Sequence, residues 1–316
     1  MSQASAPSTA APQPLTGTTT SGSGNLGLYT AVVAIWGTSW IGLKLQVGAG
    51  VEVLASVSYR FGLAALLLFG WCLLRGHSLR FNRVQHLRMV AQGFLMFTLN
   101  YFLFYSAALY LTSGLLAVAS STVILFNLVL GVLFLGQRLD ARLVAGVLMG
   151  LCGIAAVFWP EVSHFSLSDT GTKGVLLALG GTVCVAFSLT LSAFNQKSGL
   201  PVLQTNAYAM AYGTALTVLL GAATGTPFSF ALTPEYVGSL LYLSLVASIL
   251  AFGAYLTLVG RIGPARASYA SVLYPIIALG LSTVFEGYQW TPPAVLGLIL
   301  VLIGNILVLQ RKASVR

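Results

Sequence analysis

VLASVSYRFGLAALLLFGWCLLRG, Val53 to Gly76, decides the fold class. Between Glu52 and Arg75 it carries one charge, Arg60, in 22 consecutive residues. A helix crossing the hydrocarbon core of a bilayer needs about 20 mostly apolar residues. Leu and Ala dominate, and polar positions do not alternate as they would in a half-buried strand. The rest of the chain has the same character. Of 316 residues, 57% are hydrophobic and only 7% are charged, against about 25% in a soluble domain. That excludes a soluble globular enzyme, a disordered regulator and a disulfide-stapled secreted domain. Cys72, Cys152 and Cys184 lie in apolar segments without paired or metal-ligating spacing.

Ten such apolar segments lie at 26–46, 53–74, 87–111, 114–135, 142–159, 174–196, 202–223, 236–259, 266–285 and 292–310. Lipid-exposed backbone must find its hydrogen bonds within each segment, so all ten are expected to be helices. Lys and Arg, counted on alternate sides of these spans, divide sharply. Twelve fall on one side: Arg75, Arg80, Arg83, Arg88, Arg138, Arg142, Lys197, Arg261, Arg266, Arg311, Lys312 and Arg316. Only Lys44 and Lys173 fall on the other, and Arg60 lies within a span. This positive-inside bias places both termini in the cytoplasm. It also reads the net charge of +9 as topology, so no nucleic-acid partner is expected. Residues 1–25, rich in Ser, Thr, Ala and Pro, read as a disordered cytoplasmic tail.

The two halves are related. A shift of 149 residues sets Val53-Leu54 on Val202-Leu203, Tyr59 on Tyr208, Gly114 on Gly263 and Gln137 on Glu286. After a two-residue slip, Gly146 meets Gly297 and Gly153 meets Gly304. Five spans per half is an odd number, so the halves enter the membrane in opposite directions. Inverted repeats are a transporter architecture, with the substrate near midplane at the repeat interface. The expected division is 26–160 for the first repeat, 161–173 for an extracytoplasmic loop, 174–310 for the second repeat and 311–316 for a basic cytoplasmic tail. The fold class is all-α integral membrane, ten helices in two inverted five-helix repeats.

Four stretches carry a family resemblance: WGTSW (Trp36 to Trp40) followed by Lys44, YRFGLAALLL (Tyr59 to Leu68), LGQRLD (Leu135 to Asp140), and SVLYP (Ser271 to Pro275) with Glu286 eleven residues on. The chain resembles the drug/metabolite transporter superfamily, in particular its ten-helix EamA-type exporters. The resemblance covers about residues 26–310. It implies a basket of ten helices, export of amino acids or related metabolites, and a place in the bacterial inner membrane. The family often has Pro and Glu in both repeats. Here Phe126 and Gln137 stand opposite Pro275 and Glu286, which puts a symmetric mechanism on those residues in doubt.

Arg60 is the charge deepest in a span, and an intramembrane Arg is functional or paired by default. It either anchors a substrate carboxylate or is held structurally by neighbours. An Arg at this place across family members with varied substrates favours the second. Asn100, Tyr101 and Tyr105 in the third span and Asn127 in the fourth either line a cavity or bond between helices. Trp36 and Trp40 are four apart on one face, too deep for an aromatic belt, and read as an apolar cavity wall or as packing. Pro275 removes a backbone donor and is the hinge candidate, with Ser271 and Tyr274 beside it. Glu286 is the candidate for energy coupling. With no carboxylate or His mid-span, obligatory proton coupling is not expected. The glycines near 146–150 and 297–304 read as packing or as homodimer contacts.

His77, His86 and His164 lie in loops, no metal cluster is visible, and no bound cofactor is expected. The partners are a small-molecule substrate and the lipid bilayer. The leading expectation is a secondary transporter exporting small metabolites, most of all amino acids, and not an enzyme. The alternatives are a drug or cation exporter and a lipid-flipping or non-transporting membrane subunit.

Overall fold

The computed structural model describes residues 22–135, 141–162, 170–262 and 270–309. The terminal tails, the LGQRLD motif beyond Leu135, most of the loop expected at 161–173 and the turn at 263–269 lie outside them. The described residues form helices. α1 is Gly22–Gly48 and α2 is Val53–Leu74. α3 starts as Arg83–Gly93, passes through a π-helical stretch, Phe94–Leu99, and ends as Asn100–Ala107. α4 is Ser113–Ser121 followed by Val123–Leu135, and α5 is Ala141–Val157. α6 is Thr170–Lys197 and α7 is Val202–Ala223. α8 starts as Pro234–Leu241, turns π-helical over Tyr242–Leu250, and ends as Ala251–Ile262. α9 is Ala270–Phe285 and α10 is Pro292–Leu309.

Local chemistry sets the boundaries. Asn82 accepts from the Gln85 backbone N–H at 2.9 Å and its own N–H donates to the Gln85 side chain at 2.8 Å, a capping box that opens α3. Thr112 and Thr233 cap α4 and α8, and Pro234 takes the first turn of α8, where it has no donor to lose. α2 and α7 end alike. Gly76 and Gly225 have φ near +67° and +68°, and the following residues His77 and Thr226 donate back to the carbonyls of Cys72 and Gly221 at 2.9 and 2.8 Å. This is a Schellman close, which needs a residue free to adopt the left-handed region.

Five helices are long and apolar enough to cross a membrane, and four shorter ones are strongly apolar. Large apolar side chains such as Leu66, Leu74 and Val284 face outward, the surface a bilayer covers. The packing repeats the sequence symmetry. α2 packs on α7, α4 on α9 and α5 on α10. α1 against α8 and α9 is matched by α6 against α3 and α4, and α2 against α8 by α7 against α3. Each pair maps onto another, or onto itself, when the halves are exchanged. The two π-helical stretches also fall at corresponding positions in α3 and α8. The chain is thus an integral membrane protein of two inverted five-helix repeats.

The small-residue stripes read in the sequence pack within the chain. A Cβ on Gly153 of α5 would come within 2.7 Å of the Gly297 carbonyl of α10, and one on Gly304 within 2.7 Å of the Gly146 carbonyl. These faces are therefore packed against each other within the chain. Gly153→Val should lower thermal stability by about 2 kcal/mol or more, since overpacking here presses on backbone. Gly280→Ala, where a Cβ meets nothing within 4 Å, should leave it unchanged. Thermal unfolding of the two variants in detergent checks the contrast.

Candidate functional site

A cavity of about 150 Å³ lies between the repeats, and its walls come from every span except α5 and α10. α1 contributes Trp36, Ser39, Trp40 and Leu43. α2 contributes Arg60, and α3 contributes Gln92, Met96, Asn100, Tyr101 and Phe104. Ser120 and Val123, Ser192, Asn206, Phe252 and Tyr255, and Ser271 and Tyr274 complete it from α4, α6, α7, α8 and α9. Among the described residues Arg60 is the one charged side chain in these walls.

Arg60 is buried, 3% exposed. Its Nε donates to Ser248 Oγ at 3.2 Å and its Nη1 to Tyr105 Oη at 3.4 Å. The guanidinium lies over Tyr101, 4.6 Å from the ring centre, and beside Phe61 at 5.0 Å. Tyr105 Oη in turn donates to Gln46 Oε1 at 2.5 Å. Among the described residues the partners of this cation are hydroxyls and π faces, with no carboxylate. Such contacts orient a guanidinium and offset part of its desolvation, but leave its charge uncompensated.

The aromatic wall is continuous. Trp36 packs on Phe252, Tyr255 and Tyr274 with ring centres 5.5, 5.0 and 6.4 Å apart. Trp40 packs on Phe104 at 5.2 Å. Tyr274 donates to Ser120 Oγ at 3.0 Å. Asn100 closes the π-helical stretch of α3, and its Nδ2 donates to the Met96 carbonyl at 3.1 Å. Its Oδ1 is buried without a hydrogen-bond partner.

The interrupted helix is α4, not α9. α9 runs through Pro275, the expected hinge, whereas α4 breaks at Thr122. The carbonyls at the break are satisfied both within α4 and from other spans, and Ala119 accepts from the Thr122 N–H at 3.2 Å and the Thr122 hydroxyl at 2.6 Å. The Ala119 carbonyl accepts from Thr182 Oγ1 of α6 at 3.1 Å, and the Ser121 carbonyl from Asn305 Nδ2 of α10 at 3.5 Å.

Polar chains bracket the cavity. At the end that carries Arg75 to Arg88, Asn195 donates to Gln92 at 2.9 Å and Gln92 to Asn206 at 3.4 Å, tying α6, α3 and α7. Toward the opposite end, the Gln46–Tyr105–Arg60–Ser248 chain ties α1, α3, α2 and α8. Beyond it, Glu286 accepts from the Ser113 backbone N–H at 2.9 Å and from the Ser113 hydroxyl. Lys44 donates to the carbonyls of Ala108 and Leu111 at 2.5 and 2.8 Å. An anion at the start of α4 and a cation at the end of α3 both suit the helix dipoles.

Of the residues singled out from sequence, Trp36, Trp40, Arg60, Asn100, Tyr101, Ser271 and Tyr274 come together in the walls. Tyr105 sits behind Arg60, fully buried. Asn127 is half-buried and outside the walls. Pro275 lies beside Tyr274, and Glu286 sits at the helix ends away from the cavity. Sequence reasoning missed Gln92, Asn195 and Asn206. One signal was available: the 149-residue shift sets Gln46 on Asn195, so each repeat closes its first span with an amide.

The model of one family, the EamA-like transporter family, matches residues 23–159 and 172–310, the two halves separately. The chain belongs to the EamA-like transporter family. It is similar to the uncharacterized inner membrane transporter YedA of Escherichia coli K12, 28% identical over 83% of this chain and 82% of YedA. It is also similar to a probable amino-acid metabolite efflux pump of the same organism, 24% identical over 68% of this chain and 74% of the pump. A solved crystal structure matches the fold with TM-score 0.65 at 18% identity, covering 91% of this chain and 96% of its own.

In this EamA-like transporter Glu286 accepts two hydrogen bonds from Ser113 at the start of α4. Glu286→Gln should lower thermal stability by about 1–2 kcal/mol, the scale of a lost charge-assisted bond to Ser113, and should change flux per folded molecule, since the same bond holds the start of α4 to the end of α9. Unfolding curves and transport assays on the same preparation check both.

Proposed function

We propose that this chain is a secondary transporter of the bacterial inner membrane that exports small metabolites, amino acids foremost, by alternating access through the central cavity. The observation that carries the reading is one cavity at the interface of two inverted repeats, bracketed by separate polar chains. The positive-inside bias supports a cytoplasmic position for the arginine-rich end and for both termini. The volume supports a substrate of single-ring size, since an engineered cavity of about 150 Å³ takes up benzene. The relative named as an amino-acid metabolite efflux pump supports the substrate class. A drug-cation exporter would need a carboxylate in the walls, and those described hold none.

In this mechanism the amide chain Asn195–Gln92–Asn206 is the door at the cytoplasmic end. The Gln46–Tyr105–Arg60 chain and the Lys44 and Glu286 caps close the other. One opens while the other holds. No cofactor is required. Counterflow in proteoliposomes tests the reading: liposomes loaded with an unlabelled amino acid should take up its labelled counterpart saturably. Absence of exchange for every amino acid, in folded protein, would sink it.

The door makes its own prediction. Gln92→Leu removes two neutral hydrogen bonds, a loss of about 1–2 kcal/mol in the closed state. A cysteine at Ser192, in a background without the native cysteines, should then react about tenfold faster with a water-soluble maleimide from the arginine-rich side. An unchanged rate would remove Gln92 from the gate.

A further inference from the structure

We infer that the cavity recognises a free carboxylate together with an adjacent N–H donor, the first through Arg60 and the second through Asn100. The inference deepens the transport reading and rests on it only in taking this cavity as the transport site.

Two unfinished polar groups point to it. Arg60 is always charged and has five N–H donors. Two of them reach hydroxyl acceptors, at 3.2 and 3.4 Å. Among the described residues this guanidinium, 3% exposed in a membrane span, is held by hydroxyls and rings and has no anion beside it. Burying a charge without a partner is strongly unfavourable, so a carboxylate entering the cavity is drawn to it, and the planar fork suits bidentate contact. A cation entering the same space is repelled.

Asn100 is the second group. Only its nitrogen can donate to the Met96 carbonyl, so that bond settles which end of the amide is oxygen. The oxygen, left buried and unpaired, is an acceptor waiting for a donor. Asn100 and Tyr101 are neighbours in α3, and the Tyr101 ring covers Arg60. Arg60, Asn100, Tyr101, Trp36 and Trp40 all line the same cavity. A molecule with a carboxylate, a neighbouring N–H and an apolar body matches all three.

The test is direct binding to the full chain in detergent, read by tryptophan fluorescence. Four probes share one ring: phenylalanine, 3-phenylpropanoate, phenylalanine amide and 2-phenylethylamine. Phenylalanine should bind tightest. The amide and the amine, which lack the carboxylate, should be weaker by about tenfold or more. 3-Phenylpropanoate, which lacks only the donor, should be weaker by about threefold to tenfold. Arg60→Gln should flatten the carboxylate preference, and Arg60→Lys should retain part of it, which separates lost recognition from lost folding. Asn100→Leu should close the gap between phenylalanine and 3-phenylpropanoate while keeping the carboxylate preference.

The inference is overturned if the amide or the amine binds as well as phenylalanine, if Arg60→Gln leaves the ranking intact, or if none of the four binds. The expected ranking without counterflow would fault the transport reading alone. Counterflow with a flat ranking would fault the recognition alone.

Discussion

In hydrocarbon an unpaired backbone N–H or C=O costs several kcal/mol, and this one constraint organises the molecule. It makes every span a helix, and it limits irregular backbone to places where protein can satisfy it. The irregular places here are few and they cluster. α3 and α8 turn π-helical, α4 breaks at Thr122 and α9 carries Pro275. All four spans line the cavity. Carbonyls beside the break in α4 accept from Thr122 itself and from Thr182 and Asn305 of other spans. Imperfect helices thus create the space between the repeats, and side chains from the rest of the bundle make the imperfection tolerable. π-helical turns often mark functional sites for the same reason.

The scaffold is symmetric while its chemistry is not. Gly50 and Gly199, and Gly76 and Gly225, hold corresponding left-handed positions after corresponding spans. Gln46 and Asn195 correspond, and so do the two π-helical stretches. Yet Arg60 corresponds to Ala209, and Asn100 to Ile249. A perfect repeat would place two cations in one cavity, where they would repel. Divergence at these positions leaves one charge and one orphan acceptor on the α2–α3 side. The other half supplies Phe252, Tyr255 and Tyr274 as an apolar wall. Symmetry shapes the scaffold, and its local loss sets the chemistry of the cavity walls.

What was legible in sequence follows from the same physics. The bounds of α2 and α7 read from sequence match the structure because charge, Gly and Pro punctuate them sharply. The repeat was legible because glycines at close helix contacts tolerate no Cβ. The π-helical turns and the break at Thr122 were not. A shift of hydrogen-bond register or a one-residue break has no local signature comparable to that of Pro275. Asn127 and Tyr105 show the same limit. A polar residue mid-span announces that it needs a partner, but not whether the partner is a ligand, a cavity or another helix. Gln92, Asn195 and Asn206 lay near span ends, where amides are unremarkable until three of them meet.

The two ends of the cavity are closed by interactions of different strength, and the difference has a direction. At the arginine-rich end the closing bonds are between neutral amides, at 2.9 and 3.4 Å. A neutral hydrogen bond contributes about 0.5–1.5 kcal/mol net, and one to a charged group about 1.5–3 kcal/mol. The opposite end adds charged groups to the neutral Tyr105–Gln46 bond: Arg60 on hydroxyls, Lys44 on two carbonyls, and Glu286 on the start of α4. On the proposed gating, the amide end would open for less free energy than the ionic end. For an exporter that loads from the arginine-rich side, that asymmetry leaves the loading door the easier to open, and leaves the ionic end to be opened by whatever competes for Arg60. An anion in the cavity competes for that guanidinium by its nature, so the group that would recognise the substrate also helps to hold the exit shut.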